Sequence, residues 1–361
     1  MIIHLIAAAR PNFMKIAPLY HELKNDKNIS VKIIHTGQHY DRNMFSDIFD
    51  DLNLPSPDVS LGIGGGSHAM QVGKLMIEYE KLCLEEKPDL VIVVGDVNAT
   101  MACAVTAKKL HIKVAHLEAG LRSFDMDMPE EINRMVTDAI ADYFWTPSVD
   151  GNENLVKSGI DPKKIEFVGN IMIDSLEMMR EAIEKENIRE KLLLEKEKFV
   201  LVTFHRPSNV DDSDKLMKII SELVKLSNKI KIVFPIHPRT EQNLKKYNLF
   251  ELIKNKENIL ITKPLSYKQF MKLVFDCKFV LTDSGGIQEE STYLGIPCLT
   301  LRDNTERPIT VTKGTNTLVN LNNLEDNILM ILSNKYKKGE IPLLWDGNTA
   351  KRVHKEIQKI I

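Results

Sequence analysis

The chain has 361 residues, 43% hydrophobic and 27% charged, with 48 Lys and Arg against 50 Asp and Glu. At about 100 to 200 residues per domain, this predicts two domains with sizeable cores and excludes a disordered tail or one small domain. A formal charge of -2 argues against a general electrostatic grip on nucleic acid, while local basic sites for small phosphates remain allowed.

The opening apolar run, residues 1–7, lacks a basic start and meets Arg10-Pro11 too soon for a leader, so it reads as a buried first strand. β-Rich apolar runs then recur at 31–36, 90–95 and 114–118, and again at 199–204, 230–236, 259–262 and 279–282. Continuous apolar strands separated by amphipathic segments predict parallel sheets covered on both faces, a doubly wound α/β fold written twice. A charged helical stretch, 180–198, precedes the second series; the boundary is placed near Asn170, giving domains 1–170 and 171–345. No run is long and apolar enough for a membrane span, and Cys83, Cys103, Cys277 and Cys298 form no CxxC pair, as expected of reduced thiols in a cytoplasmic protein.

Open parallel sheets bind ligands beyond the carboxyl ends of their strands. The polar residues fall there: Arg10, Gln38-His39, Asp96 and Glu118 in the first half, then His205, His237 and Asp283-Ser284-Gly285-Gly286 in the second. Two sheets of this kind facing each other predict a cleft. Ser284-Gly285-Gly286 at a helix start offers amide donors and close backbone approach to a phosphate, with Arg10, His205 and Arg307 as candidate cations. Glu290, one turn on, suits a ribose, and Glu289 is expected to point away by about 100 degrees to the surface. No GxGxxG follows the first strand and no Walker lysine is present. The run from Gly62 to Gly66 has no convincing strand before it and reads as a mobile loop.

Asp96, Glu118, Glu130 and Glu131, close in sequence to Arg122 and Arg134, are the material for paired acid and base work, although the spacing of Glu131 and Arg134 favours a simple pair on a helix surface. The ten histidines are dispersed without HExxH, Asp125 and Asp127 read as a solvated loop, and no GxSxG elbow occurs, so no metal is expected. His4, His35 and His111 read as structural.

Taken together, Arg10-Pro11 with Lys15, Gly37-Gln38-His39, Gly95-Asp96, the run from His116 to Arg122, Pro129-Glu130-Glu131-Ile132-Asn133-Arg134, Gly169-Asn170, His205-Arg206, the run from Thr282 to Glu290 and Thr305-Glu306-Arg307-Pro308 resemble the non-hydrolysing UDP-N-acetylglucosamine 2-epimerases, in order along nearly the whole chain. The resemblance implies two Rossmann-like domains in the glycosyltransferase B arrangement, with the last helix, within 346–361, crossing back to the first. It implies UDP held by Ser284, Gly285, Gly286, His205 and Arg10 at the diphosphate, Glu290 at the ribose and Phe270 on uracil, with Arg307 adding charge. Gln38, His39, Arg134 and His237 join as binding residues. Asp96, Glu118 and Glu130 match the catalytic carboxylates, assisted by Lys15 and His205, which makes Glu130 rather than Glu131 the catalytic member of the double glutamate. A homodimer without cofactor is implied, supplying a polysaccharide or glycoprotein pathway. A hydrolysing 2-epimerase, a glycosyltransferase on the same scaffold and a non-catalytic sugar-nucleotide sensor stay open. The chain departs from the family at Pro207-Ser208-Asn209, where many members carry a further charged residue. It departs also at His68-Ala69-Met70-Gln71, where bacterial members place an Arg-Gln pair on an activating second nucleotide sugar; Met70 brings no charge, and weak or altered activation is expected.

Overall fold

A computed structural model describes residues 1–37 and 49–360. The chain divides into two compact units, Met1–Met179 with Leu343–Ile361, and Arg180–Pro342.

The first unit holds β1 (Ile2–Ala7), β2 (Ser30–Gly37), β3 (Val59–Ile63), β4 (Leu90–Val94), β5 (Lys113–Leu117), β6 (Tyr143–Thr146) and β7 (Ile165–Phe167) in the order β3-β2-β1-β4-β5-β6-β7. Every pairing is parallel. Leu90 to Val94 is buried at every residue, which is why it reads as a continuous apolar run rather than an alternating one. On one face Ile6, Ile34, Val91 and Val93 pack with Leu75 and Tyr79 of the helix His68–Glu86 and Ala102 and Cys103 of the helix Asn98–Lys109.

The second unit holds β8 (Phe199–Thr203), β9 (Lys231–Pro235), β10 (Ile259–Thr262), β11 (Phe279–Thr282), β12 (Cys298–Leu301) and β13 (Asn316–Val319), ordered β10-β9-β8-β11-β12-β13 and again all parallel. Its core joins Val200, Val202, Phe234, Phe279 and Leu281 to Leu216, Ile220 and Leu223 of the helix Ser213–Ser227. The order reverses between β1 and β4 in one sheet and between β8 and β11 in the other, so each unit has a switch point where loops diverge and a ligand can enter.

Several expectations need correction. Strands β3, β6, β7, β12 and β13 did not stand out in the sequence; β3, β7 and β13 lie at sheet edges and are not buried throughout, so they lack a continuous apolar run. β3 alternates half-buried and exposed residues at the sheet edge, and it runs directly into the glycine-rich stretch, which therefore does follow a strand. The charged stretch 180–198 is not one helix: the helix Ile171–Glu184 ends within it, Ile188–Lys191 forms a separate turn, and Leu193 and Glu197 take positive φ values of 51° and 58°. The first residues of Ile171–Glu184 belong to the first unit, beyond residue 170.

The last helix, Thr349–Gln358, also belongs to the first unit. The Asp174 carboxylate caps it, accepting from the amides of Thr349 at 3.1 Å and Ala350 at 2.8 Å. His354 bridges Glu22 at 3.1 Å and Asp26 at 2.9 Å, and the Trp345 indole donates to the Pro147 carbonyl at 2.9 Å.

Candidate active site

In the first unit, Lys15 and Glu118 form a buried ion pair, the lysine from the helix Arg10–Leu23 behind β1 and the glutamate from the residue after β5. The pair has room because position 95 is glycine: a Cβ there would lie 3.1 Å from Lys15 Nζ and 3.4 Å from Glu118 Oε2, and the backbone needs φ of 70°. Glu118 itself takes φ of 70°. That left-handed conformation costs a non-glycine residue about 1–2 kcal/mol and clusters at functional sites. Lys15 occupies Oε2, whereas Glu118 Oε1 is buried with no hydrogen-bond partner among the described residues.

Asp96, after β4, accepts from Arg134 Nη1 at 2.5 Å through its carboxylate and from Asn133 Nδ2 at 2.9 Å through its carbonyl. Both partners sit on the helix Pro129–Ile140. Arg134, expected as a binding residue, is 1% exposed and also donates to Glu131 Oε2 at 2.9 and 2.6 Å. Its guanidinium is thus shared between Asp96, Glu131 and the Ser123 hydroxyl. Glu131 is likewise not on a surface: it is buried and accepts from the Ser123 and Phe124 amides, each at 3.0 Å. Burial pushes its carboxyl up, but these donors and Arg134 outweigh that and hold it below its ordinary value. Glu130 is half-buried and, with Gly65, His68, Asn98 and Asn133, lines a cavity of about 480 Å³ at the carboxyl ends of β1, β2 and β3.

Sequence reasoning missed a brace beneath these loops. His116, fully buried in β5, donates from Nε2 to the Gly95 carbonyl at 2.8 Å and meets Asp138 Oδ1 at 2.6 Å through Nδ1. Asp138 Oδ2 takes Arg122 at 2.5 Å and the Gly120 amide at 3.2 Å. One buried cluster thus fixes the loop bearing Asp96 and the loop bearing Glu118. An apolar strand interrupted by a lone histidine was the available signal.

In the second unit, the residues after β8 and β11 meet at the switch point. Asp283 is fully buried and accepts from the amides of His205 and Arg206 at 3.0 Å, while His205 Nδ1 lies 2.9 Å from its Oδ1. Burial pushes the Asp283 carboxyl up, yet His205 and the amides hold it below the usual value. Asn209, where the family pattern breaks, donates to Asp283 at 3.2 Å and to the Leu301 carbonyl at 3.1 Å, so this loop is tied to the same carboxylate. Sequence reasoning gives Asp283 no role of its own; its place between an apolar strand and Ser284-Gly285-Gly286 is the signal that could have found it.

The helix Gly286–Leu294 begins at the phosphate-type turn, and its first amides lack intrahelical partners. The Ser284 amide is engaged by Thr282 Oγ1 at 2.9 Å. A Cβ on Gly285 would come within 2.9 Å of both Arg307 Nη1 and Glu306 Oε1, so glycine lets this guanidinium lie against the turn. Arg307 pairs with Glu306 and places Nε 2.9 Å from Glu289 Oε2. Glu289 is therefore buried rather than at the surface: it points away from Glu290 as helical geometry requires, but Arg307 covers that face. Glu290 is 4% exposed and accepts from Tyr267 Oη at 2.6 Å. Tyr267 opens the helix Tyr267–Asp276, which carries half-buried Phe270 one turn later. His237 caps the helix Pro238–Lys246, is largely exposed, and has its ring centroid 5.6 Å from that of His205; partial desolvation of its ring and then His205 push its pKa down. Arg10 begins its helix, and Gln38 and His39 lie outside the described residues. Among the described residues no group of three or more His, Cys, Asp or Glu is arranged to hold a metal, and no helix is long and apolar enough to cross a membrane.

The family model for UDP-N-acetylglucosamine 2-epimerase matches residues 21–358. The chain belongs to the UDP-N-acetylglucosamine 2-epimerase family. Within the family it is 43% identical to the UDP-N-acetylglucosamine 2-epimerase of Methanocaldococcus jannaschii, over 98% of each chain. The crystal structure of the M. jannaschii UDP-GlcNAc 2-epimerase in complex with UDP-GlcNAc and UDP resembles it with a TM-score of 0.90 at 42% identity, covering 99% of this chain and 100% of the other. The UDP-2,3-diacetamido-2,3-dideoxy-D-glucuronate 2-epimerase of Pseudomonas aeruginosa is 40% identical over 88% of each chain. The fold class is that of these epimerases, two Rossmann-like units of the glycosyltransferase B type.

Proposed function

We propose that this chain interconverts UDP-N-acetylglucosamine and UDP-N-acetylmannosamine at carbon 2, by anti elimination of UDP to 2-acetamidoglucal and re-addition, without net hydrolysis. The observation that carries the reading is the buried Lys15–Glu118 pair with Glu118 Oε1 left open, in a chain whose other unit carries a diphosphate-type turn under Arg307. The M. jannaschii relative, named for this activity and crystallised with UDP-GlcNAc and UDP, supports the choice of substrate.

Carbon 2 carries a proton of low acidity, since no carbonyl adjoins it in the ring. As the bond from C1 to the diphosphate oxygen lengthens, oxocarbenium character at C1 acidifies that proton. A carboxylate takes it, the C2–H electron pair becomes the C1–C2 double bond, and the C1–O pair leaves with UDP. Return of a proton to the opposite face of C2, with re-formation of the C1–O bond, gives the epimer. Two faces need two acid-base groups, drawn from Asp96, Glu118 and Glu130, with Lys15 paired to Glu118. The leaving charge falls on Ser284, Gly285, Gly286, His205 and Arg307, each charged hydrogen bond contributing about 1.5–3 kcal/mol. Glu290 takes the ribose and Phe270 the uracil. Protein cations carry the charge, so the proposal needs no metal or cofactor.

The test is incubation of UDP-GlcNAc in deuterated water, followed by NMR at C2. Epimerisation with solvent deuterium at C2 and an intact nucleotide linkage is expected. Accumulation of UDP with free N-acetylmannosamine assigns a hydrolysing enzyme, and an unexchanged C2 proton throughout inversion removes the elimination. A parallel incubation with UDP-2,3-diacetamido-2,3-dideoxy-D-glucuronate tests the substrate of the P. aeruginosa relative. The proposal includes a homodimer, checked by sedimentation.

A further inference from the structure

Glu290 is a buried carboxylate without a cation among the described residues: its one described side-chain partner is the Tyr267 phenol, which occupies Oε1 at 2.6 Å. The positive charge nearby lies with its neighbour Glu289, which faces Arg307. A carboxylate with one neutral donor and a second oxygen to offer suits a hydroxyl and repels a phosphate. Tyr267 is itself fixed. It is the first residue of its helix, whose start is locked by a reciprocal capping box between Ser266 and Gln269, and Phe270 follows at i+3 on the same side.

We infer that Tyr267 is a specificity-determining positioning residue: by holding Glu290 it aims the carboxylate at a ribose hydroxyl and makes the nucleotide site select ribonucleotides over deoxyribonucleotides. The inference deepens the reading of the second unit as the UDP site and rests on it. One turn of helix then couples the base stack at Phe270 to the sugar contact at Glu290. Burial pushes the Glu290 carboxyl up to about 7, and the Tyr267 bond opposes that rise, favouring the ionised form that accepts from a hydroxyl.

Calorimetric binding of UDP, 2′-deoxy-UDP and 3′-deoxy-UDP to the full chain and to Tyr267→Phe tests this. The unaltered chain should bind at least one deoxy nucleotide about tenfold or more weaker than UDP, the scale of one charged hydrogen bond. In Tyr267→Phe the preference should fall to within about threefold while deoxy binding holds. In a Glu290→Gln background, Tyr267→Phe should change the ratio no further, because the tyrosine acts through the carboxylate. Binding of UDP with an undiminished preference in Tyr267→Phe, or additive effects in the double variant, overturns the inference alone. Failure of the unaltered chain to bind any of the three nucleotides removes the UDP reading and the inference together. Should Tyr267→Phe not fold, Glu290→Gln by itself must abolish the preference, and its retention there overturns the claim.

Discussion

The Asp283 carboxylate holds His205 twice, through the histidine's amide at 3.0 Å and through Nδ1 at 2.9 Å. With Nδ1 committed, Nε2 is the nitrogen turned to a ligand. Asp283→Asn puts an amide where two backbone N–H groups need acceptors, and should cost about 1–3 kcal/mol of stability. Turnover should fall at least tenfold as the imidazole loses its orientation. Denaturant unfolding and steady-state rates on one preparation check both, and unchanged turnover would exclude a role for this dyad.

Gly285 has an ordinary φ of -73°, so alanine there strains nothing in the backbone. Its Cβ instead meets Arg307, which two carboxylates hold in place. Gly285→Ala should weaken UDP binding about tenfold, the loss of one charged hydrogen bond, with little change in melting temperature. Calorimetry and a thermal melt separate the two effects.

Removing one partner of a buried ion pair leaves the other charge uncompensated, at about 3–5 kcal/mol. Lys15→Met should therefore destabilise more than the double variant Lys15→Met, Glu118→Gln, which leaves no charge behind. Both should lose turnover. Urea midpoints and rates read the comparison, and a double variant less stable than the single one would contradict it.

Burial pushes the His354 pKa down, but bonds to Asp26 and Glu22 outweigh it and the value is raised. A raised histidine gives stability that is fully present below the unfolded value, about 6.5, and is lost as pH climbs through the folded value. The stability of the unaltered chain should thus decline above about pH 6.5 by an amount that His354→Gln removes. Unfolding free energies across pH 6 to 9 give the answer, and identical pH slopes would leave His354 without this role.

The fold was legible where strands are buried on both faces: Leu90 to Val94 and Phe279 to Thr282 announce themselves as unbroken apolar runs ending in polar residues. β7, three residues at a sheet edge, carries too little pattern to be found alone. At the candidate site, the placement of Asp96, Glu118 and the Ser284-Gly285-Gly286 turn just after β4, β5 and β11 was readable because the apolar runs end there. Which glutamate is buried was not. Glu131 reads as a surface residue until Ser123 and Phe124 arrive with their amides, and Glu289 until Arg307 folds over it, both partners being contributed by other parts of the chain.

The cap on the final helix joins residues 175 positions apart, and His354 reaches Glu22 across 332. Until residues 349–354 have been made, the Asp174 carboxylate lacks its amide donors and Glu22, on the helix bearing Lys15, lacks its histidine. The packing of the helix that bears Lys15 therefore depends on residues made after every strand of both sheets.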